Sequence, residues 1–554
     1  MTTGQAAQRT LAEADTLAEF DAVVVGAGFA GIYMLHRLRG LGFTARVIEA
    51  GTDVGGTWYW NRYPGARCDI ESLSYQYSFD DSIQREWNWS ERYATQPEIL
   101  EYANFVADKF DLRRDMEFET RVTAATYDDA SERWTVETDR GDRYSARFCI
   151  MATGCLSMSR LPEIPGRDRF EGESYHTGQW PHEGVDFSGK RVGVIGTGSS
   201  GIQSIPLIAE QADHVTVFQR TPNFSIPAHN HPLTPEQLAS NKEEFQALRH
   251  EAERMAPARA GGQLEIPKAF DLSDDERAQR YEQLWEIGGV AFLGAAADLL
   301  IDERANETAA NFVRGKIQEI VRDPEVAGVL SPDDHPLGTK RICVDTGYYQ
   351  TYNRENTALI NLRDTPIEEI THSGVRTTTE DFEFDAIVYA TGFDAMTGAL
   401  LAMDIRGRNG VSLRDEWAGG PKTYLGLQVV GFPNLFTITG PGSPSVLSNM
   451  LISIEQHVDW ISDCLEFMRQ GDLCTIEATP EAQDAWVTHV NEVGDRTLFP
   501  RANSWYVGAN IPGKPRVFMP YVAGVGPYRE KCDEVAANGY EGFVLDAPRT
   551  AAPA

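Results

Sequence analysis

Short apolar runs alternate with longer amphipathic stretches along this chain, which is the pattern of strands alternating with helices. The first clear run is Asp21–Val25, followed directly by Gly26-Ala27-Gly28-Phe29-Ala30-Gly31 and by a helical pattern through Leu41. A second apolar run, Ala45–Ile48, ends at Glu49. Strand, glycine turn, helix and strand in this order form a βαβ unit of the kind that binds a dinucleotide.

The same unit recurs near the middle of the chain. Arg191–Ile195 is apolar, Gly196-Thr197-Gly198-Ser199-Ser200-Gly201 forms a second glycine turn, and a helix is predicted to about Gln211. The next strand, His214–Gln219, ends at Arg220. Two such units predict an α/β fold with two nested Rossmann-like dinucleotide-binding domains, each holding one nucleotide.

The rest of the sequence predicts the boundaries of the domains. Residues 230–333 are charged and alanine-rich with helical periodicity, which predicts a helical insertion. The predicted strand Ala386–Ala390 leads into Thr391-Gly392-Phe393-Asp394. Its end therefore repeats the Ala-Thr-Gly sequence of Ala152-Thr153-Gly154, and each of the two Ala-Thr-Gly sequences lies where the chain would cross between the two domains. The predicted boundaries are residues 1–155 with 391–554 for the first domain, 156–229 with 334–390 for the second, and 230–333 for the insertion.

Individual elements are also predicted outside the two βαβ units. Helical periodicity marks Pro235–Met255 and Asp274–Ile287 in the insertion and Ile452–Arg469 near the C-terminus. Apolar runs predict strands at Ala358–Leu362 and Leu435–Ile438.

Each glycine of the first turn has a physical reason to be glycine. Gly26 permits the tight turn, Gly28 lets backbone amides approach a pyrophosphate, and Gly31 lets the helix pack on the strand. Glu49 stands where a carboxylate can accept hydrogen bonds from a ribose diol. A nucleotide with free ribose hydroxyls, FAD or NAD, is therefore predicted for this unit.

The second unit differs at the position that reads the ribose. Arg220 and Thr221 stand there in place of an acidic residue. A carboxylate would repel a 2′-phosphate, whereas a guanidinium can pair with it bidentately. The second unit is therefore predicted to prefer NADPH over NADH.

Composition limits the partners of this protein. A chain of 554 residues is too long for a single hydrophobic core. The formal net charge of −32 disfavours nucleic acid and anionic membranes, so a phosphate-bearing ligand must be held by local donors. The seven cysteines lack CxxC and metal-ligand spacing, so no metal site is predicted and the thiols are expected to be reduced and buried.

The sequence shows no targeting signal. The first twenty residues lack an apolar core, and the longest weakly polar run, Gly288–Ala297, is too short to span a membrane. We expect a cytoplasmic protein that works as a monomer, although the sequence is also compatible with an oligomer.

Two further stretches carry unusual patterns. Gly55–Asp69 combines paired glycines, aromatic residues and a carboxylate in a loop after the first unit, and Phe170-x-Gly172-x-x-x-His176-x-x-x-Trp180-Pro181 precedes the second. The latter matches the F-x-G-x-x-x-H-x-x-x-W-[P/D] fingerprint of type I Baeyer–Villiger monooxygenases at every position. The former matches that family's G-x-W-x-x-x-x-[F/Y]-P-G-x-x-x-D motif. The chain thus resembles these class B flavoprotein monooxygenases from about Phe20 to Leu545, and most resembles the phenylacetone and steroid monooxygenases.

The resemblance implies an activity. FAD would bind to the first unit and NADPH to the second, and a flavin C4a-peroxide formed with O2 would attack a ketone carbonyl to give an ester or a lactone. Bulky aromatic, cyclic or steroid ketones are the expected substrates. Two residues are implied to be catalytic: Arg341 as a fixed positive charge near the flavin and nicotinamide, and Asp69 as the carboxylate that orients and tunes it.

The resemblance also assigns cofactor contacts residue by residue. Besides Gly26, Gly28, Gly31 and Glu49, those implied for FAD are Thr57, Trp58, Tyr59, Trp60, Asp69, Tyr75, Val122 and Met450. Those implied for NADP are Arg67, Cys68, Asp69, Thr197, Gly198, Ser199, Ser200, Gly201, Ile202, Gln203, Arg220, Thr221, Lys340, Arg341 and Trp505. Trp505 lies in a stretch that resembles a mobile loop over the nicotinamide, and residues 440–450 resemble the border of the ketone pocket. His176 resembles a hinge element and is not expected to be catalytic.

Three alternatives share parts of this pattern. An N- or S-oxygenating flavin monooxygenase carries both glycine turns but departs from the fingerprint at Trp180-Pro181 and needs no equivalent of Arg341. A flavin disulfide reductase would need a CxxC or CxxxxC pair, which the sequence lacks. A nucleotide-binding regulatory protein would hold FAD without oxidising NADPH.

Overall fold

The computed structural model of the protein describes residues 17–254 and 266–547, so Met255 at the end of one predicted helix lies outside the described residues. The strands are β1 (Ala18–Val25), β2 (Ala45–Ile48), β3 (Met116–Glu117), β4 (Val122–Asp128), β5 (Arg133–Thr138), β6 (Arg143–Met151), β7 (Glu173–His176), β8 (Arg191–Ile195), β9 (His214–Gln219), β10 (Ser225–Pro227), β11 (Cys343–Asp345), β12 (Thr357–Asn361), β13 (Ile367–Ile370), β14 (Gly374–Thr377), β15 (Asp381–Glu383), β16 (Ala386–Tyr389), β17 (Asp404–Arg406), β18 (Leu435–Thr437), β19 (Thr475–Ala478) and β20 (Phe543–Asp546).

The helices include short ones near the cavity described below and longer ones that cover the sheets. They are α1 (Phe29–Gly40), α2 (Thr57–Trp60), α3 (Asp81–Glu86), α4 (Gln96–Lys109), α5 (Ser199–Gln211), α6 (Pro235–Glu253), α7 (Asp274–Ile287), α8 (Glu303–Ile320), α9 (Pro324–Leu330), α10 (Tyr348–Thr351), α11 (Gly398–Ala402), α12 (Leu413–Glu416), α13 (Met450–Gln470), α14 (Pro480–Asp495) and α15 (Val525–Ala537). Within the described ranges, no helix is both long and apolar enough to cross a bilayer.

The elements predicted for both βαβ units are confirmed. Strands β8 and β9 and helix α7 have the predicted bounds, and β1 starts earlier than predicted because Ala18–Phe20 continue its parallel pairing with β6. The prediction that Gly55–Asp69 is a loop is wrong in one part, since Thr57–Trp60 form the short helix α2. The antiparallel strands β4–β6 and β13–β15 were missed.

The first sheet carries the first glycine turn. Its strand order is β17-β4-β5-β6-β1-β2-β3, and β18 also pairs with β6. The central strand β1 is parallel to β2 and to β6. Val23 and Val24 on this strand are fully buried on opposite faces, as expected where helices or loops cover both sides of a parallel sheet. Its strands come from two separate parts of the chain, because β17 and β18 follow the whole second unit.

The second sheet is parallel throughout and carries the second glycine turn. Its order is β12-β9-β8-β16-β7. In open parallel sheets, ligands bind outside the carboxyl ends of the strands. Here those ends lead into Gly196 after β8, Arg220 after β9 and Thr391 after β16. The topology therefore places the second glycine turn and Arg220, which are predicted to bind NADP, along one edge.

Helices α6 to α9 occupy the segment predicted to be a helical insertion. Helices α6 and α7 begin with capping boxes at Thr234 and Ser273, in which side chain and backbone satisfy each other's hydrogen bonds. An ion pair between Arg249 on α6 and Glu455 on α13 fixes the insertion to the helices of the first sheet. Both side chains are almost fully buried, so losing one partner would strand a charge in the interior.

The third glycine of each turn is required by packing. A Cβ at Gly31 would stand 1.8 Å from the carbonyl oxygen of Gly26, and one at Gly201 would stand 2.4 Å from that of Gly196. Helices α1 and α5 can therefore start directly over their turns only because these positions lack a side chain.

We expect Gly31→Ala to displace α1 from the turn, lowering stability by about 1–3 kcal/mol and reducing FAD content. Gly40→Ala is the matched control, because a Cβ at the last residue of α1 meets nothing within 4 Å. That variant should be neutral or more stable by up to about 1 kcal/mol. Melting temperature and the ratio of flavin to protein absorbance measure both effects. Equal behaviour of the two variants would contradict the packing argument.

Candidate active site

A large cavity of about 1940 Å³ lies between the two glycine turns. It brings together most of the residues that the sequence assigned to cofactor binding and catalysis. The assigned residues that line it are Gly26, Gly28, Glu49, Thr57, Trp58, Trp60, Arg67, Cys68, Asp69, Tyr75, Val122, Thr197, Gly198, Ser199, Ser200, Gln203, Arg220, Thr221, Lys340, Arg341, Met450 and Trp505.

Four assigned residues do not line the cavity. Gly31 and Gly201 lie behind their turns, where they allow close packing, and Ile202 is fully buried in the core. Tyr59 is buried as well, and its hydroxyl interacts with Thr52, accepting from the backbone N–H at 2.9 Å. These residues shape the cavity from outside its wall.

The first turn forms a cradle that side chains would fill. A Cβ at Gly26 would stand 2.6 Å from the carbonyl oxygen of Ala152, and one at Gly28 would stand 3.3 Å from the Cα of Gly56. The Glu49 carboxylate accepts the backbone N–H groups of Ala27 and Gly51, both at 2.7 Å. Burial raises the pKa of Glu49, while these hydrogen bonds act in the opposite direction. The features fit a dinucleotide with a ribose diol facing Glu49.

The loop Gly55–Asp69 joins the two dinucleotide units. Gly65 has φ +79°, and a Cβ there would stand 2.4 Å from the carbonyl oxygen of Gln203 on α5. The hydroxyl of Tyr63 donates to Gln203 Oε1 at 2.8 Å, and Gln203 Nε2 donates to the carbonyl oxygen of Arg67. This loop therefore reaches from the first turn to the helix of the second.

Asp69, at the end of that loop, forms a bidentate pair with Arg341. Arg341 Nε and Nη2 donate to the two carboxylate oxygens, each at 2.7 Å, and Nη1 donates to the carbonyl oxygen of Val446 at 2.6 Å. Burial opposes the charge of Arg341, but the Asp69 carboxylate outweighs it and raises the pKa of the guanidinium. Arg341 therefore stays cationic in a defined orientation on the cavity wall.

Arg220 and Lys340 form a second cationic group. Neither side chain makes a hydrogen bond or an ion pair within 4 Å to any described residue. Burial lowers the pKa of Lys340, and the charges of Arg220 and Arg363 lower it further, while Asp334 opposes them. Arg220 directly follows β9 and Lys340 lies near it, and these two unpaired cations fit the 2′-phosphate predicted there.

His176 connects the two chain segments that cross between the sheets. Its Nδ1 accepts the backbone N–H of Gly178 at 2.9 Å, so in the neutral ring Nε2 carries the proton and donates to the carbonyl oxygen of Arg160 at 3.2 Å. Thr391 Oγ1 donates to the same carbonyl oxygen. Burial lowers the pKa of His176, which keeps the ring neutral. The structure thus places His176 at the crossing, and His176 does not line the cavity that Arg341 lines.

Residues 504–514, called the Trp505 stretch below, lie along one side of the cavity. Lys514 Nζ donates to Asp394 Oδ1 at 2.6 Å, and Asn510 Nδ2 donates to the carbonyl oxygen of Phe393 at 2.8 Å. Next to Trp505, Tyr506 is almost fully buried and lies beside Arg341. Burial raises the pKa of Tyr506 to about 12, while Arg341 acts in the opposite direction.

Sequence reasoning missed several residues of this wall. Thr153, Gly154, Thr391 and Gly392 line the cavity, and the repeated Ala-Thr-Gly was the signal that could have found them. Tyr506 lies beside Arg341 without lining the cavity, and it had no such signal, because only tertiary packing brings it there. Among the assigned residues, the side chain of Arg67 turns to Glu91 and to the carbonyl oxygen of Tyr93, both at 2.7 Å.

The prediction that the cysteines are buried is confirmed for five of them, whereas Cys68 and Cys474 are half-buried. All seven are free. Burial raises the pKa of Cys343 to about 12, so this buried thiol stays protonated. These thiols offer no redox pair.

Comparison with known proteins gives consistent matches. Residues 23–256 match the family described as pyridine nucleotide-disulphide oxidoreductase. A Baeyer-Villiger monooxygenase of Pseudooceanicola batsensis is 44% identical over 96% of this chain and 97% of the relative. An acetone monooxygenase (methyl acetate-forming) of Gordonia sp. is 42% identical over 95% of this chain and 99% of the relative. The solved structure of an oxidized steroid monooxygenase bound to NADP has a TM-score of 0.91 and 52% identity, covering 96% of this chain and 100% of that one.

One further relative bears on the nitrogen-oxygenating alternative. A phenazine N-monooxygenase of Lysobacter antibioticus is 42% identical over 95% of this chain and 97% of the relative. Nitrogen oxygenation is therefore found at the same level of similarity as ketone oxidation.

Arg220→Ala should raise KM for NADPH by at least about tenfold and leave KM for NADH nearly unchanged, because only NADPH carries the 2′-phosphate. Arg191→Ala is the control, since Arg191 starts β8 at the opposite edge of the same sheet and pairs with Glu383. Steady-state oxidation of both nicotinamides measures the effect. Equal losses for NADPH and NADH would refute the assignment.

Proposed function

The chain belongs to the Baeyer–Villiger monooxygenases, and on that basis we propose that it oxidises bulky aromatic, cyclic or steroid ketones with O2. It is an NADPH-dependent flavoprotein with FAD as its cofactor, and it inserts one oxygen atom beside a ketone carbonyl. The bidentate pair of Arg341 and Asp69 at the cavity wall carries the proposal for the catalytic site.

The residues present fit both cofactors. The first glycine turn leaves a space that side chains would fill, and this space suits the pyrophosphate of FAD. Glu49 suits its ribose. The second turn starts α5, whose first backbone N–H groups suit the pyrophosphate of NADPH, and the unpaired Arg220 and Lys340 suit its 2′-phosphate. Bound FAD, once reduced by NADPH, supplies the chemistry that activates O2.

Arg341 supplies the fixed charge that the reaction needs. Attack on a ketone carbonyl places negative charge on oxygen, and a preorganised cation stabilises that charge without reorganising. Asp69 and the carbonyl oxygen of Val446 hold the guanidinium through three hydrogen bonds, so its direction is set before substrate arrives. Asp69 also offsets part of its charge.

The Trp505 stretch helps to exclude water. Lys514 and Asn510 fasten it to residues 393–395, and behind it lie the buried side chains of Phe499, Tyr506 and Phe518. A drier site strengthens the interaction of Arg341 with developing charge. The same closure would retain NADP⁺ between the two halves of the reaction.

The wall near Arg341 supports a bulky ketone. Leu156, Val446, Met450 and Trp505 contribute apolar surface to the cavity. Residues 440–450 contain no aromatic side chain that would divide this space. The similarity to an oxidized steroid monooxygenase points in the same direction, whereas the acetone monooxygenase shows that family membership alone does not set substrate size.

We also propose the domain division read from the sequence. Residues 1–155 with 391–554 would form the FAD domain, 156–229 with 334–390 the NADP domain, and 230–333 the insertion. The composition of the two large sheets supports this division, since β17 and β18 pair with strands of the first sheet.

The proposal is tested by supplying the FAD-loaded protein with NADPH, O2 and one compound at a time: phenylacetone, progesterone, acetone or phenazine. We expect NADPH consumption with the two bulky ketones and products heavier by one oxygen atom, identified as esters by mass spectrometry. Higher kcat/KM for acetone would refute the preference for bulky ketones. Oxygenation of phenazine without any ketone oxidation would favour the nitrogen-oxygenating alternative.

Arg341→Ala should lower ester formation by about 10²–10³-fold, while the protein still binds FAD and is still reduced by NADPH. Arg341→Lys keeps the charge but loses the planar fork that fits Asp69, so an intermediate rate is expected. Rapid mixing with NADPH, followed by product analysis, separates flavin reduction from oxygen insertion. Ester yield equal to that of the parent protein in Arg341→Ala would exclude the proposed role.

A further inference from the structure

Arg160 is a cationic side chain on the cavity wall that makes no hydrogen bond through its guanidinium to any residue the structure describes. The side chain is only 21% exposed, and its nearest acidic partner, Glu163, stands at 3.5 Å and is itself 85% exposed. Nη1 is enclosed without any partner. An enclosed guanidinium that lacks hydrogen bonds is costly, which indicates a ligand that satisfies it.

The backbone of Arg160 is tied to the second glycine turn. Its carbonyl oxygen accepts from His176 Nε2 at 3.2 Å and from Thr391 Oγ1 at 2.7 Å. Thr177, next to His176, shares a hydrogen bond of 3.0 Å with Ser200 in the first turn of α5. Thr391 N also lies only 3.6 Å from where a Cβ at Gly196 would stand. The backbone of Arg160 is therefore anchored near the glycine turn and the α5 N-terminus, at which a pyrophosphate would bind.

Arg220 and Lys340, which form no ion pair with the described residues, belong to a different part of the cavity. The charged residues that shift the pKa of Lys340 are Asp334, Arg220 and Arg363. Arg160 is not one of these residues. The glycine turn offers backbone N–H groups and the partial charge of the α5 N-terminus, but no full positive charge. A pyrophosphate entering a protein with a net charge of −32 needs a local cation to offset repulsion.

We propose that Arg160 binds the pyrophosphate of NADPH and holds the dinucleotide against the second glycine turn. The inference rests on the NADPH dependence of the enzyme and not on the identity of its ketone. Because the pyrophosphate is common to NADPH and NADH, Arg160 contributes to the affinity for both. Arg220, by contrast, reads the 2′-phosphate alone.

Calorimetric titration of NADP⁺ and NAD⁺ into the FAD-loaded protein, without any ketone, tests this assignment. Arg160→Gln should weaken the binding of both nucleotides by at least about tenfold, the effect of losing one charge-assisted hydrogen bond. Arg160→Lys should restore part of the affinity, because the charge remains while the planar fork is lost. KM for NADPH and for NADH should rise in parallel in Arg160→Gln.

Arg169→Gln is the matched control. It removes the same charge from the same segment, but Arg169 is 57% exposed and pairs with Glu369. Its nucleotide affinities should equal those of the parent protein. Unchanged affinities in Arg160→Gln, or a loss confined to NADP⁺, would overturn the assignment to the pyrophosphate. If no ketone is oxidised but Arg160→Gln still weakens both nucleotides, the proposed function fails and this inference stands.

Discussion

The ion pair between Arg341 and Asp69 is the contact on which the site depends. The two residues are 272 positions apart, and each approaches from a different dinucleotide unit. A guanidinium inside the protein must remain paired, since removing one partner of a buried pair strands the other charge. The pair therefore forms only when the two dinucleotide units pack against each other as they do here. That packing sets the position of the Arg341 guanidinium.

The rest of the architecture keeps the docking in place. Gly65 allows the loop that ends at Asp69 to lie against α5, and Gln203 fastens it there. On the opposite side, His176 joins the two chain segments that cross between the sheets. Lys514 then ties the Trp505 stretch to the second crossing. Each of these contacts joins distant parts of the chain, so together they make the geometry of the cavity a property of the whole fold.

Charge is distributed to match this arrangement. The chain carries a net charge of −32, yet Arg160, Arg220, Lys340 and Arg341 all line one cavity. The guanidinium of Arg341 forms its hydrogen bonds with protein groups. By contrast, no described residue forms a hydrogen bond with the guanidinium of Arg160 or with the side chains of Arg220 and Lys340. The satisfied cation suits a fixed catalytic role, whereas the unsatisfied ones suit phosphate groups brought by a ligand. The contrast separates catalysis from nucleotide binding on physical grounds.

The sequence by itself determined the features that depend on local backbone. Spacing within a βαβ unit fixes the positions of both glycine turns and of the strands beside them, so these could be predicted directly. The same spacing identified Glu49 in the first unit and Arg220 in the second as the residues that follow the next strand. Resemblance added Arg341 and Asp69 as a hypothesis. Only the tertiary structure decided that Tyr59 stays out of the cavity lining and that the side chain of Arg67 turns to Glu91. It also decided that Tyr506 lies beside Arg341 and that Arg160 joins the cavity wall. Those outcomes depend on packing between segments far apart in sequence, and no local pattern encodes which side chains such packing leaves facing the ligand.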